Sequence, residues 1–178
     1  MPDAVERLEN QGATVVAVTG DERLVGFVAI TDTLKPDARE AVSRMNAAGL
    51  SPVMITGDNE RTAQAVAAQV GITEVMAEVL PADKAAEIHR LQQQGYRVAM
   101  VGDGINDAPA LTQADVGIAI GAGTDIAIEA ADVVLIGERL GGLVDAYEIG
   151  KASFRKTVQN VTLAFAFNGI GVPAAVTG

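Results

Sequence analysis

Residues 96–111, Tyr96-Arg97-Val98-Ala99-Met100-Val101-Gly102-Asp103-Gly104-Ile105-Asn106-Asp107-Ala108-Pro109-Ala110-Leu111, read as a short apolar strand that runs into a glycine-rich turn and then a helix. Glycines on both sides of Asp103 permit a tight turn, in which its carboxylate projects from the strand end while backbone amides stay accessible. Asp103 and Asp107 are four residues apart and share a face if the turn is already helical. Two carboxylates without basic residues beside them suit Mg²⁺, a hard cation that takes one or two carboxylates, waters and a phosphate oxygen. Asn106 is placed to donate a hydrogen bond to the same phosphate. The alternative is that Asp, Asn and Gly here only build a turn and a helix cap.

The same grammar extends in both directions. Residues 14–18 and 24–30 are β-branched runs separated by Thr19-Gly20-Asp21-Glu22, which predicts a β-hairpin. Pro36 then opens a helix over residues 37–48, with Gly49 placed to end it. A strand over 51–56 leads through Gly57-Asp58-Asn59 into a helix over 60–70 closed by Gly71. Pro81 opens a further helix to Gln94, closed by Gly95. Downstream, residues 116–120 and 132–136 supply two more strands around a short helix capped by Thr124. Strands alternating with helices indicate βαβ units and a parallel sheet. In such sheets ligands bind beyond the carboxyl ends of the strands, where Thr56-Gly57-Asp58 and Gly102-Asp103 both fall.

Two further elements join the site. A helix N-terminus offers unpaired amides and a positive dipole end, so Thr56, with its hydroxyl, and Gly57, with no side chain, form an anion-site candidate. The plain reading is a cap by Asp58 or Asn59. Lys84 sits at the start of a helix, where a cation opposes the dipole; neutralising a phosphate explains that placement. His89, beside Arg90 on a polar helix, reads as a solvated surface side chain, and the acids Asp37, Glu40 and Glu138 as solvated faces.

Composition bounds the rest. The chain has 178 residues, 49% of them hydrophobic, enough for a real core. Aromatics are only 3%, which suits small-residue α/β packing. A net charge of −10 argues against a nucleic-acid partner, and the absence of Cys excludes disulfides and thiolate metal sites. The stretch 1–10 is charged and polar, unlike a signal peptide. From 141 to 157 a polar helix is expected. From 161 to 176 no residue is charged, with Arg155 and Lys156 just before it, as at a cytoplasmic membrane edge. A bilayer span needs ~20 apolar residues, so this run reads as the start of one.

Residues 102–111 resemble the hinge motif of P-type ATPases almost letter for letter. Thr56-Gly57-Asp58 and Lys84 match the accompanying motifs in order and spacing. Gln113-Ala114-Asp115-Val116-Gly117-Ile118-Ala119-Ile120 with Gly123-Thr124-Asp125-Ile126-Ala127 resembles the heavy-metal-transporting branch of that family. The resemblance implies a haloacid-dehalogenase-like, Rossmann-like α/β fold. Residues 1–30 would be the last hairpin of the nucleotide-binding domain, 31–150 the phosphorylation domain, and 151–178 a linker helix and the start of a transmembrane helix. It implies Mg²⁺ on Asp103 and Asp107, a phosphoryl group on Thr56, Gly57, Lys84 and Asn106, and Asp58 organising the Thr56 loop. ATP would be the substrate of the full pump.

In the family an aspartate within Asp-Lys-Thr-Gly-Thr attacks ATP, and this pentapeptide does not occur here. The attacking residue ends a central strand, so the sheet of this chain is expected to have a gap with exposed backbone donors. The nucleotide-binding and actuator domains and further membrane helices would be the partners, with lipid at the C-terminal end and residues 1–155 on the cytoplasmic side. In the tail, Asn168 is a candidate ion-path residue, since intramembrane polar groups are costly. Gln159-Asn160 followed by Phe167-Asn168 and Pro173 resembles the membrane helix of copper pumps, but Phe167 stands where those usually have Tyr, whose hydroxyl can serve the ion, so copper is only a leaning among heavy-metal cations. A soluble haloacid-dehalogenase-type phosphatase and an inert fragment are the competing readings.

Overall fold

The computed structural model describes residues 2–9, 12–21, 23–30, 33–103, 105–121, 125–137 and 139–177. Met1, Asn10, Glu22, Thr31, Gly104, Gly123, Thr124, Glu138 and Gly178, which the sequence reading uses, lie outside them. Two units divide the chain, residues 1–141 and 142–178.

In the first unit a helix α1 (Pro2–Glu9) leads into strands β1 (Thr14–Gly20) and β2 (Arg23–Ile30). These pair antiparallel from Thr14↔Ile30 onward, with a register irregularity between Val18 and Thr19. Then follow α2 (Ala38–Ala47), β3 (Val53–Ile55), α3 (Glu60–Val70), β4 (Glu74–Met76) and α4 (Lys84–Gln93). Beyond them lie β5 (Ala99–Gly102), a 3₁₀ turn (Ile105–Asp107), α5 (Ala108–Gln113), β6 (Val116–Ile120), α6 (Asp125–Glu129) and β7 (Val133–Leu135). Helix α3 shows why these boundaries form. Asn59 accepts a hydrogen bond from Thr62 N at 3.0 Å, and Gly71, at φ +86°, turns the chain out of the helix. Between these ends Ala63, Ala67 and Val70 recur at helical spacing and are buried.

The strands confirm the parallel α/β reading. β3 pairs with β4 in parallel, and β5, β6 and β7 form a parallel sheet in that order. The two sheets are not joined: among the described residues β3 has only β4 as a partner, and β5 only β6. They nevertheless share a core, because Ile55 of β3 packs against buried Ile88, Met100, Ala110 and Leu111. A second cluster of Ala38, Val42 and Val70 holds α2 to α3.

Three expectations are corrected. Pro36 and Pro81 do not sit in the first helical turn. Each lies in a turn just before the helix, and α2 and α4 start at Ala38 and Lys84. The short strand β4 was not expected; three residues are too few to show alternation. The polar and uncharged C-terminal segments are one helix, α7 (Gly141–Thr177), because nothing between them breaks it. Apolar side chains along it are exposed, Phe165 by 76% and Ile170 by 74%. No helix among the described residues is long and apolar enough to cross a membrane. The expected start of a transmembrane helix is therefore present only as the apolar end of α7.

Asp37 is a further correction, since it is not a solvated face. Its Oδ2 accepts from Gly141 N at 2.9 Å and lies 4.0 Å from Arg139 Nε. The Gly141 amide, more than the Leu140 amide and the Arg139 charge, holds the Asp37 carboxyl below the usual carboxylate range. A lowered folded-state value means that the stabilisation is complete above the ordinary carboxylate value and is lost as pH falls through the lowered one. At pH 7 the Gly141 amide is therefore expected to exchange more slowly in the parent than in Asp37→Ala. That difference closes as the pH drops below about 4. Protection that is identical in the two proteins at pH 7 contradicts the assignment.

Candidate active site

The carboxyl ends of β3 and β5 present the two loops singled out in the sequence. After β3, Thr56 N donates to Met76 O at 2.9 Å, Val79 N to Thr56 O at 3.0 Å, and Glu78 N to Asp58 O at 2.8 Å, so the loop is fixed to the chain leaving β4. Cap and site are separate residues here. Asn59 caps α3, which leaves the Asp58 carboxylate for other partners. Thr56 Oγ1 donates to Asp58 Oδ2 at 2.9 Å and accepts from Asp58 N at 3.1 Å. Thr14 Oγ1 donates to Asp58 Oδ1 at 3.0 Å. Gly57 is exposed, with its backbone open to a ligand.

After β5 the constraint is steric. A Cβ on Gly102 would lie 2.7 Å from Asp107 Cβ and 2.9 Å from Asp107 Oδ2, so only glycine leaves room for that carboxylate against the strand end. Asp107 precedes α5 but makes no side-chain cap. Its Oδ1 instead receives Lys84 Nζ at 2.7 Å, with both side chains largely covered, 17% and 13% exposed. The side chain of Asp107 is therefore an ion-pair partner rather than a helix cap. The acid is held by a lysine from another helix, and that lysine's unfavourable position at the first residue of α4 is offset by the contact.

The structure thus joins Lys84 to Asp107 and Thr56 to Asp58. Asp103 and Asn106 are exposed at the turn, and no hydrogen bond ties their side chains to these pairs. Asn168 is exposed on α7, in the other unit. His89 is exposed as expected, hydrogen-bonded only to neighbouring glutamine side chains. Thr14 was missed, because a threonine opening a β-branched run carries no signal beyond strand propensity. No group of three or more acids or imidazoles converges among the described residues. Asp103 and Asp107 would offer Mg²⁺ a carboxylate or two with the remaining positions open, and not a closed protein cage.

A parallel α/β core with polar loops at the carboxyl ends of its strands is the architecture of a haloacid dehalogenase-like hydrolase. The chain belongs to that family, whose sequence model matches residues 1–115. Its relatives are more particular. The chain is 55% identical to a probable copper-exporting P-type ATPase V of Mycobacterium tuberculosis, over 98% of this chain and 23% of that protein. It is 49% identical to a copper-exporting P-type ATPase of Bacillus subtilis, over 98% of this chain and 22% of the relative. A zinc-transporting PIB-type ATPase solved in its E2.Pi state superposes with a TM-score of 0.84 at 42% identity, over 99% of this chain and 29% of that one. The chain spans about a quarter of the length of these proteins. The resemblance read from residues 102–111 holds, and the chain corresponds to a segment of a heavy-metal P-type ATPase.

Gly102→Ala tests the geometry of this edge. The added methyl pushes Asp107 off Lys84 and is expected to destabilise the chain by about 1–3 kcal/mol, the usual cost of overpacking. Urea unfolding reads it, and an unchanged midpoint contradicts the close approach.

Proposed function

We propose that this chain is the phosphate- and Mg²⁺-handling part of an ATP-driven heavy-metal cation pump. Its role is to bind the phosphoryl group of an aspartyl phosphate whose aspartate lies outside these residues. What supports the reading most is the meeting of Lys84 and Asp107, 23 positions apart in sequence, at 2.7 Å beside the end of β5. Phosphoryl transfer asks little covalent work of a protein; positioning and charge stabilisation do most of it. Lys84 offers an ammonium already fixed by Asp107. Thr56 offers a hydroxyl held by Asp58, Gly57 an open backbone, and Asn106 an exposed amide side chain. Asp103 and Asp107 would hold Mg²⁺, which neutralises charge developing on the phosphoryl oxygens.

The relatives named for copper and zinc carry the ion reading, with copper favoured by the two closer in identity. In the assembled pump, residues 1–30 complete the nucleotide-binding domain and 31–150 form the phosphorylation domain. Residues 151–178 are the linker and the beginning of a membrane helix, with residues 1–155 on the cytoplasmic side. The exposed apolar side chains along the end of α7 then meet lipid or other membrane helices, and Asn168 faces the ion path.

One phosphorylation assay tests this reading. With ATP and Mg²⁺ the chain alone is expected to form no acid-stable, hydroxylamine-sensitive phosphoprotein, whereas the full-length pump forms one and Asp103→Ala in that pump abolishes it. A phosphoprotein from the chain alone, or full phosphorylation of Asp103→Ala, contradicts it.

A further inference from the structure

Two consecutive residues at the start of the hairpin, Ala13 and Thr14, are joined to Thr62 of α3 and to Asp58 of the loop before it. Thr62 Oγ1 donates to Ala13 O at 3.0 Å, and Thr62 is itself the residue whose amide Asn59 caps. Both Thr62 and Ala13 are only 2% exposed, so this bond is shielded from water. One residue further along, Thr14 Oγ1 donates to Asp58 Oδ1 at 3.0 Å. The Ala13 carbonyl and the Thr14 hydroxyl are thus matched to Thr62 and Asp58. Around them Arg61 lies 3.4 Å from both Glu6 and Glu9 of α1, which adds exposed ion pairs at the same junction.

The consequence lies at Asp58. Its two oxygens have two different masters: Oδ1 takes the Thr14 hydroxyl and Oδ2 takes the Thr56 hydroxyl. A carboxylate rotates freely about its last bond unless both oxygens are engaged, so Thr14 fixes the plane in which Asp58 holds Thr56. It also satisfies charge on Asp58 that would otherwise fall wholly on the Thr56 hydroxyl, whose proton a phosphoryl oxygen needs.

We propose that Thr14 is a positioning residue of the phosphate loop. Its hydroxyl sets Asp58, and through Asp58 the Thr56 hydroxyl, so that movement of the β1–β2 hairpin is transmitted to the phosphoryl-binding end of β3. This inference rests on the reading of Thr56 as a phosphoryl ligand. It adds a residue outside every motif at that end, and a path by which the nucleotide side of the pump reports to the phosphate side. The rest of the hairpin is only loosely held, with Val25 73% and Ile30 56% exposed, so Ala13 and Thr14 carry the link.

The test uses the full-length pump with Thr14→Val, which keeps the β-branched shape and removes the hydroxyl, and Thr14→Ser, which keeps the hydroxyl. Phosphoenzyme formed from inorganic phosphate and Mg²⁺ reports the phosphoryl site, and the KM for ATP reports the nucleotide site. Thr14→Val is expected to weaken the apparent phosphate affinity about three- to tenfold, the range of one ordinary hydrogen bond, because Thr14 acts through Asp58 and not on the phosphoryl group itself. The ATP KM stays within about twofold, and Thr14→Ser restores phosphate affinity. A Thr14→Val pump with parental phosphate affinity overturns the role of Thr14. So does a Thr14→Ser pump as weak as the valine variant, or a KM that shifts in parallel with phosphate affinity. A parent pump that forms no phosphoenzyme from phosphate at all sinks the underlying reading and the inference together.

Discussion

Every backbone N–H and C=O inside a sheet needs a partner, and β3 and β5 each have one on a single side. Alternation along a strand identifies the open groups. Thr56 N and O both bond toward the β4 side, so Met54 faces the same way and Val53 and Ile55 face away. Likewise Val98 O is taken by Asp115 N and Val116 N on the β6 side, so Met100 and Gly102 point there and Ala99 and Val101 do not. The core across this break is nonetheless continuous, since Ile55 of β3 packs against the cluster that contains Met100 of β5. A shared core with two unjoined sheets is the arrangement that the proposed function requires, with one strand supplied from outside these residues.

That constraint also places the chemistry. The loops after β3 and β5 flank the break, so a residue ending an inserted strand would emerge between the Thr56–Asp58 pair and the Lys84–Asp107 pair. Each pair is already assembled without it. Thr56 is held by Asp58 through two bonds, and Lys84 reaches an Asp107 whose side chain occupies the room that bare Gly102 leaves. Preorganisation of this kind lets the Lys84 ammonium, which keeps N–H donors beyond the one given to Asp107, act without first rearranging.

Much of this could be read from residues, and the limits are physical. Helix α3 was legible to the residue because Asn59 and Gly71 are strong local signals at its ends. The loop residues were legible because Gly, Asp and Thr at strand ends have few other uses. What was hidden depends on distant pairs. Nothing in the local sequence reveals that Lys84 meets Asp107 or that Thr14 meets Asp58, 44 positions away. Asp37 was misread for the same reason, as its partner Gly141 is 104 residues on. Proline misled at Pro36 and Pro81, where a fixed φ serves a turn before the helix as well as its first residue. Helix α7 was divided in two because charge composition changes along it while its backbone does not.

On the proposed function, the break between β3 and β5 is filled by a strand from outside these residues. Amide hydrogen exchange tests it most directly, at Val53, Ile55, Ala99 and Val101, in this chain alone and within the full-length pump. Fast exchange at these four in the chain alone, with strong protection at all of them in the pump, is the predicted result. Equal protection in both would mean that the two edges are already satisfied, and would contradict the account.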